Sequence, residues 1–210
     1  MPLTKSFLAF AACMLTVLSA AFAATVGTPV SAHAQIIVSV AEQKLALVRD
    51  GEVVKKYAIS TSRFGVGDSC GSYRTPLGRL KVTEKIGNGL AAGAVIRHRS
   101  ATGEVVGANA PGRDPIVSRI LWLDGMESGN RNAYSRCVYI HGTPDEKHLG
   151  RPASYGCIRM KSEDVIELYS AVPVGTEVSI VKGVLPGSPP WASWLVAEET
   201  PRPAPLRARM

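Results

Sequence analysis

Apolar residues along this chain fall into short, β-branched runs separated by breaks rich in glycine and proline. Residues 35–40 (QIIVSV) and 44–48 (KLALV) read as strands, partly alternating between apolar and polar positions. Asp50-Gly51 is a hairpin signal, because both central residues of a tight turn between twisted strands need positive φ. Residues 52–60 (EVVKKYAIS) form the return strand, so the domain opens as a meander. Further strands are expected at 79–86, 116–123, 137–140 and 176–181. Residues 62–78 read as a Gly- and Ser-rich loop. Residues 87–115 read as a long irregular segment, the kind that serves as a lid or an insert. One brief helix is expected through Tyr169, with Ser162 as its cap and Glu163 and Asp164 in the first turn, where the helix dipole favours anions. From Gly183 the tail carries six prolines and reads as extended or disordered, with Trp191 and Trp194 as candidates for docking.

Composition narrows this picture to one domain with appendages in 210 residues. Glycine (20) and proline (14) suit short strands and turns better than long helices. The net charge of +7 suits an acidic polymer or an anionic surface. No basic run interleaved with aromatics is present, which argues against nucleic acid as the partner.

The first residues set the compartment. Lys5 precedes an uncharged stretch, 6–24, and Ala21-Phe22-Ala23 offers small residues to a signal peptidase. A signal peptide over 1–23 is expected, with residue 34 as the alternative end, and no stable membrane anchor after cleavage. A retained anchor is the competing reading. Export to a periplasm or cell wall leaves Cys70, Cys137 and Cys157 in the mature chain. An odd number in an oxidising compartment means at least one free thiol or an intermolecular bond, and Cys70–Cys137 is the candidate disulfide.

Chemistry concentrates between Ile140 and Met160: IHGTPDEKHLGRPASYGCIRM. A polar loop with two prolines can fold back and bring His141 beside Cys157. An imidazole raises the thiolate fraction of a thiol whose pKa lies near ~8.5, and later returns the proton to a leaving amine. Gly156 permits close backbone approach, and amides near Cys157 can stabilise an oxyanion. A buried, inert cysteine is the bland alternative. Metal binding by Cys157, His141 and His148 matches no common zinc spacing.

This stretch resembles the signature of the L,D-transpeptidase (YkuD) catalytic domain: a histidine, a spacer, then Ser-His-Gly-Cys-Ile/Val-Arg-Met/Leu. Thr75-Pro76-Leu77-Gly78 is similar to the family's Thr-Pro-x-Gly element. The likeness covers residues 35–182, the expected catalytic domain, ahead of a tail at 183–210. It implies a mainly β fold, a compact β-sandwich of mixed sheets with one short helix and long loops. It also implies acyl transfer on peptidoglycan stem peptides without metal or cofactor. Cys157 is then the nucleophile, His141 the proton donor and acceptor, and the Gly142 carbonyl the group that orients the imidazole. Ser154, Tyr155 and Gly156 would shape the substrate and oxyanion site, and Arg159 would hold a substrate carboxylate or form a structural ion pair. Where the family has histidine before Gly-Cys this chain has Tyr155, which keeps a hydrogen-bonding tip but does not titrate near neutrality. An L,D-carboxypeptidase or endopeptidase would use the same residues with water as acceptor. A wall-binding module without turnover would not need the Cys–His pair.

Overall fold

The computed structural model describes residues 33–189, all within one compact unit. The expected signal peptide, Trp191 and Trp194 lie outside the described residues. Ten strands and one α-helix follow in chain order: β1 Ala34–Ser39, β2 Lys44–Arg49, β3 Glu52–Ser60, β4 Gly78–Ile86, β5 Ala94–Arg97, β6 Ser100–Val105, β7 Val117–Gly125, β8 Tyr139–Gly142, β9 Ile158–Met160, α1 Ser162–Ala171 and β10 Glu177–Val181. Among the described residues no helix is long and apolar enough to cross a membrane.

The strands join in the order β4-β10-β1-β2-β3-β9-β8-β7, and β7 pairs again with β4. Eight strands therefore close on themselves as a mixed barrel, with the β5–β6 hairpin attached beside β7. This differs from the expected sandwich of two stacked sheets. The reason lies in β4, which bonds to β10 along one edge and to β7 along the other, leaving no free edge between two layers. Pairs β1–β10 and β8–β9 are parallel, and the remaining pairs are antiparallel.

Burial follows the pleat. Ile36 and Val38 of β1 face inward and meet Leu45, Ile59, Leu80, Leu121, Ile140, Ile158 and Ile180 in the main core. β2 is apolar on successive positions because both its faces are covered. Leu45 and Leu47 enter the main core, while Ala46 and Val48 pack outside it against Leu185. Residues 183–189, the part of the tail within the described residues, thus pack on the domain, where the sequence read as extended or disordered. Leu185 is 2% exposed, and Ser188 donates to Glu42 Oε1 at 2.8 Å. Leu185→Ala should cost about 2 kcal/mol, on the order of 4–8 °C in Tm, which thermal unfolding monitored by circular dichroism would measure. An unchanged Tm would mean that the outer face of β2 needs no cover.

α1 begins at Ser162 itself, with Lys161 in the cap position. The Ser162 amide finds its acceptor in Glu146 Oε1 at 3.2 Å, so an anion from a neighbouring turn does the capping that Ser162 was expected to do. At the other end Lys85 Nζ donates to the carbonyls of Tyr169 (2.6 Å) and Val172 (2.8 Å), which gives the negative helix terminus its cation. Val165, Leu168 and Tyr169 turn the buried face of α1 into the main core, against β7 and β8.

The segment expected to be irregular contains the β5–β6 hairpin. Its turn, His98-Arg99, has positive φ at both residues (51° and 66°), as does Asp50-Gly51 (50° and 83°). Asp-Gly announces such a turn and His-Arg does not, so only the first was legible. All three described cysteines are free, with Cys70 exposed and Cys137 packed beside the second core cluster, so the expected Cys70–Cys137 bridge is absent.

Candidate active site

The parallel pair β8–β9 builds the site. Ile140 lies opposite Ile158, and both are sealed in the main core. Alternation along each strand sends their neighbours to the other face, so Tyr139 and His141 stand beside Cys157 and Arg159. Parallel neighbours cannot be joined by a tight turn. The connection from Gly142 to Ile158 takes residues 143–157, including a 3-10 turn at Glu146–His148. That crossover is why a histidine and a cysteine so far apart in sequence meet side by side.

Cys157 immediately precedes β9 and is half-buried. The Tyr139 amide donates to Sγ at 3.4 Å, and the thiol donates to the Cys137 carbonyl at 3.4 Å. Burial pushes the thiol up to about 11, with Cys137 adding to the rise. The Tyr139 amide, Arg136 and Arg159 pull the other way without prevailing. His141 Nδ1 is 2.8 Å from the Gly142 carbonyl oxygen. A carbonyl only accepts, so Nδ1 carries the proton and Nε2 keeps its lone pair. Burial holds the imidazole below its ordinary value, reinforced by Arg159 and opposed by the Gly142 carbonyl and Asp114. The resting pair is therefore a neutral thiol and a neutral imidazole. His141 and Cys157 line one cavity of about 160 Å³ with Asp114, Ile116, Tyr155 and Arg159.

The turn before Cys157 is held from behind. Ser154 Oγ donates to the Cys157 carbonyl at 2.6 Å and accepts from the Gly156 amide at 3.2 Å. Gly156 has φ +118°, and a Cβ there would lie 3.3 Å from the Arg74 carbonyl oxygen. Thr75 Oγ1 donates to the Gly156 carbonyl at 3.0 Å, which ties the Thr-Pro-Leu-Gly element directly to the turn before Cys157. Arg136 adds a second tie: it pairs with Asp68 at 2.9 Å and donates to the Arg74 carbonyl at 2.6 Å.

Arg159 is 6% exposed and ion-paired with Asp114, with Asp145 further off at 3.6 Å. Its Nη2 reaches Ser60 Oγ at 3.3 Å. Of its two expected roles, the structural ion pair is the one present here. Tyr155 is 58% exposed and belongs to an aromatic group with Phe64 and Tyr73. His148 pairs with Asp145 on the wall of a neighbouring cavity, and His98 stands at the β5–β6 turn. Asp114, Tyr139 and Arg136 were not singled out by sequence reasoning. Asp114 ends a segment that read as an irregular loop, and no local pattern marks its pairing with an arginine 45 positions away. Among the described residues no group of three His, Cys, Asp or Glu side chains is placed to hold a metal ion.

The protonation states predict a pH response. Acylation of Cys157 should fall only as pH drops below about 6.5, through the lowered His141 value, where the base is protonated. Stability carries the same sign. His141 stays neutral in the fold at pH values where the unfolded chain already binds a proton. Its contribution is thus complete above 6.5 and lost as pH falls through the folded value. Alkylation of Cys157 by iodoacetamide, followed by peptide mass, should keep rising toward pH about 11. A plateau near ~8.5 would mean an ordinary exposed thiol.

Three comparisons with known proteins bear on this site. The family model of the L,D-transpeptidase catalytic domain (YkuD) matches residues 33–180. YqjB of Bacillus subtilis, named as an L,D-transpeptidase, is 30% identical over 153 residues, covering 72% of this chain and 73% of that protein. YkuD of Bacillus licheniformis, likewise named, is 56% identical over 81 residues, covering 38% of this chain and 49% of that protein. Among solved structures, an L,D-transpeptidase from Mycobacterium smegmatis aligns with a TM-score of 0.47 at 20% identity, over 71% of this chain and 59% of that one.

Proposed function

We propose, on the premise that this chain belongs to the L,D-transpeptidase (YkuD) catalytic domain family, that it is an exported cysteine acyltransferase forming cross-links between peptidoglycan stem peptides. The observation that carries the reading is the shared face of β8 and β9. It sets Cys157 and His141 in one cavity, with the imidazole tautomer determined by the Gly142 carbonyl.

In the first half-reaction the Cys157 sulfur attacks the carbonyl between the third residue of a tetrapeptide stem and its terminal D-Ala. The thiol proton passes to His141 Nε2 as the carbon–sulfur bond forms, because a buried neutral thiol does not ionise beforehand. The amide of Cys157 is the oxyanion donor left in the turn, since the Gly156 amide already donates to Ser154. Collapse of the tetrahedral intermediate breaks the carbon–nitrogen bond. His141 returns its proton to the departing D-Ala amine, leaving a thioester.

In the second half-reaction an amine of another stem attacks the thioester, His141 takes one of its protons, and Cys157 leaves as the thiol. Water at roughly 55 M competes for the same thioester, so transfer requires a site that orients the amine and limits solvent. The segment 87–115 supplies that cover: its hairpin leads into Asp114 on the cavity wall. The Arg113–Glu104 ion pair ties the end of the segment back to β6.

Incubation of the protein with tetrapeptide muropeptides, followed by mass analysis, tests the reading. Cross-linked dimers lacking one D-Ala are the expected product. If excess acceptor yields only tripeptide and D-Ala, the enzyme is an L,D-carboxypeptidase.

A further inference from the structure

Beyond the catalytic cavity lies a larger one of about 480 Å³, which shares Asp114, Tyr155 and Arg159 with it as common wall. Its acidic groups are already engaged: Asp114 with Arg159, and Asp145 with His148. Across from them stand Arg63 and Arg151, both exposed. A third cavity, of about 310 Å³, continues past these two arginines to Lys182, and no Asp or Glu lines it. Among the described residues the side chains of Arg63, Arg151 and Lys182 form no salt bridge and no hydrogen bond. The path from Cys157 thus runs from a stretch where acidic and basic groups face one another into one walled by three cations.

Arg63 is held in place without using its donors. Its guanidinium lies 4.8 Å from the ring centroid of Tyr155 and 5.2 Å from that of Phe64. A cation held over aromatic rings spends no N–H donor on them, and a guanidinium whose donors are free can bind a carboxylate through two hydrogen bonds. Tyr155, where the family has histidine, is therefore the platform for this arginine as well as a wall of the catalytic cavity. The cavity continues from the one that Cys157 lines, so a peptide whose carbonyl reaches Cys157 can extend into it. Arg159 already carries the ion pair with Asp114, whereas the cations further along the path have no acidic partner among the described residues.

We propose that Arg63, Arg151 and Lys182 form an anion subsite for a free, non-reacting carboxylate of the donor stem peptide. This rests on the reading of the protein as a stem-peptide acyltransferase. It makes the enzyme selective for donors whose carboxylate is not converted to a carboxamide.

The test compares two tetrapeptide donors, one with free carboxylates and one with its non-reacting carboxylates amidated. KM is measured for the full chain and for an Arg63→Gln/Arg151→Gln variant. Direct binding is measured by calorimetry on Cys157→Ala, with and without the same two substitutions. The free-carboxylate donor should bind on the order of tenfold more tightly to the unsubstituted subsite. That preference should disappear in the arginine variant while kcat is kept, and should weaken with salt. Equal affinity for both donors in the unsubstituted subsite overturns the inference and leaves the acyltransferase reading intact. A preference that survives the double substitution places the subsite elsewhere and also overturns it. Absence of turnover with either donor removes the acyltransferase reading itself, and the inference with it.

Discussion

Replacing Cys157 by alanine is expected to abolish stem-peptide turnover and every covalent adduct at this site, while the protein stays folded. The sulfur makes only two weak polar contacts, to the Tyr139 amide and the Cys137 carbonyl. Both are backbone groups held by neighbouring structure, so losing the thiol removes little from the fold. Ser154, the one aliphatic hydroxyl on the cavity wall among the described residues, is buried and donates its proton to the Cys157 carbonyl, so it does not replace the thiol. Cys70 is exposed and lies outside the cavity lining. Intact mass after incubation with a carbapenem, the acylating drug class that the family resemblance implies, gives the readout. An adduct that persists in Cys157→Ala would move the nucleophile to another residue.

The second large effect is expected from His141→Asn. The asparagine amide can still donate to the Gly142 carbonyl from about the place of Nδ1, so the local backbone keeps its partner. What disappears is the basic Nε2. With the thiol pushed up to about 11, almost none is ionised at neutral pH, and nothing else in the cavity is a neutral base. Asp114 is committed to Arg159. The acylation rate should fall by about 10²–10⁴ with little change in KM, and should now climb steadily with pH as hydroxide replaces the imidazole. Single-turnover acylation across pH 6–10 would check this. A variant that retains the parent rate would show that the thiol is activated without His141.

Both expectations rest on residue type in a short, specific motif that the sequence displays. The same holds for the strands over 35–60, where β-branched runs flank an Asp-Gly turn and pairing is local. Sequence alone also placed the strands at 79–86, 116–123 and 176–181 to within a residue or two, since β4 and β10 bury apolar side chains on a two-residue period and β7 carries an apolar run buried at successive positions. It paired His141 with Cys157, the family resemblance added Gly142, and in the structure His141 and Cys157 line one cavity while the Gly142 carbonyl contacts His141.

Tertiary structure decided the rest. β9 has three residues, Ile158–Met160, too few for a periodic signal, and it exists because β3 and β8 flank it. Closure of the barrel depends on β4 meeting β7 across some forty residues, a pairing that no local pattern encodes. Leu185 is apolar in a proline-rich tail and reads as exposed until the outer face of β2 is seen to need cover. Arg159 looked free to bind substrate until Asp114 arrived from the far end of a long segment and took its charge. In each case the deciding contact joins residues distant in sequence. Side-chain period and turn chemistry report the local preference of the backbone, whereas partner choice for a buried charge or an unpaired strand edge is settled only when the whole chain is folded.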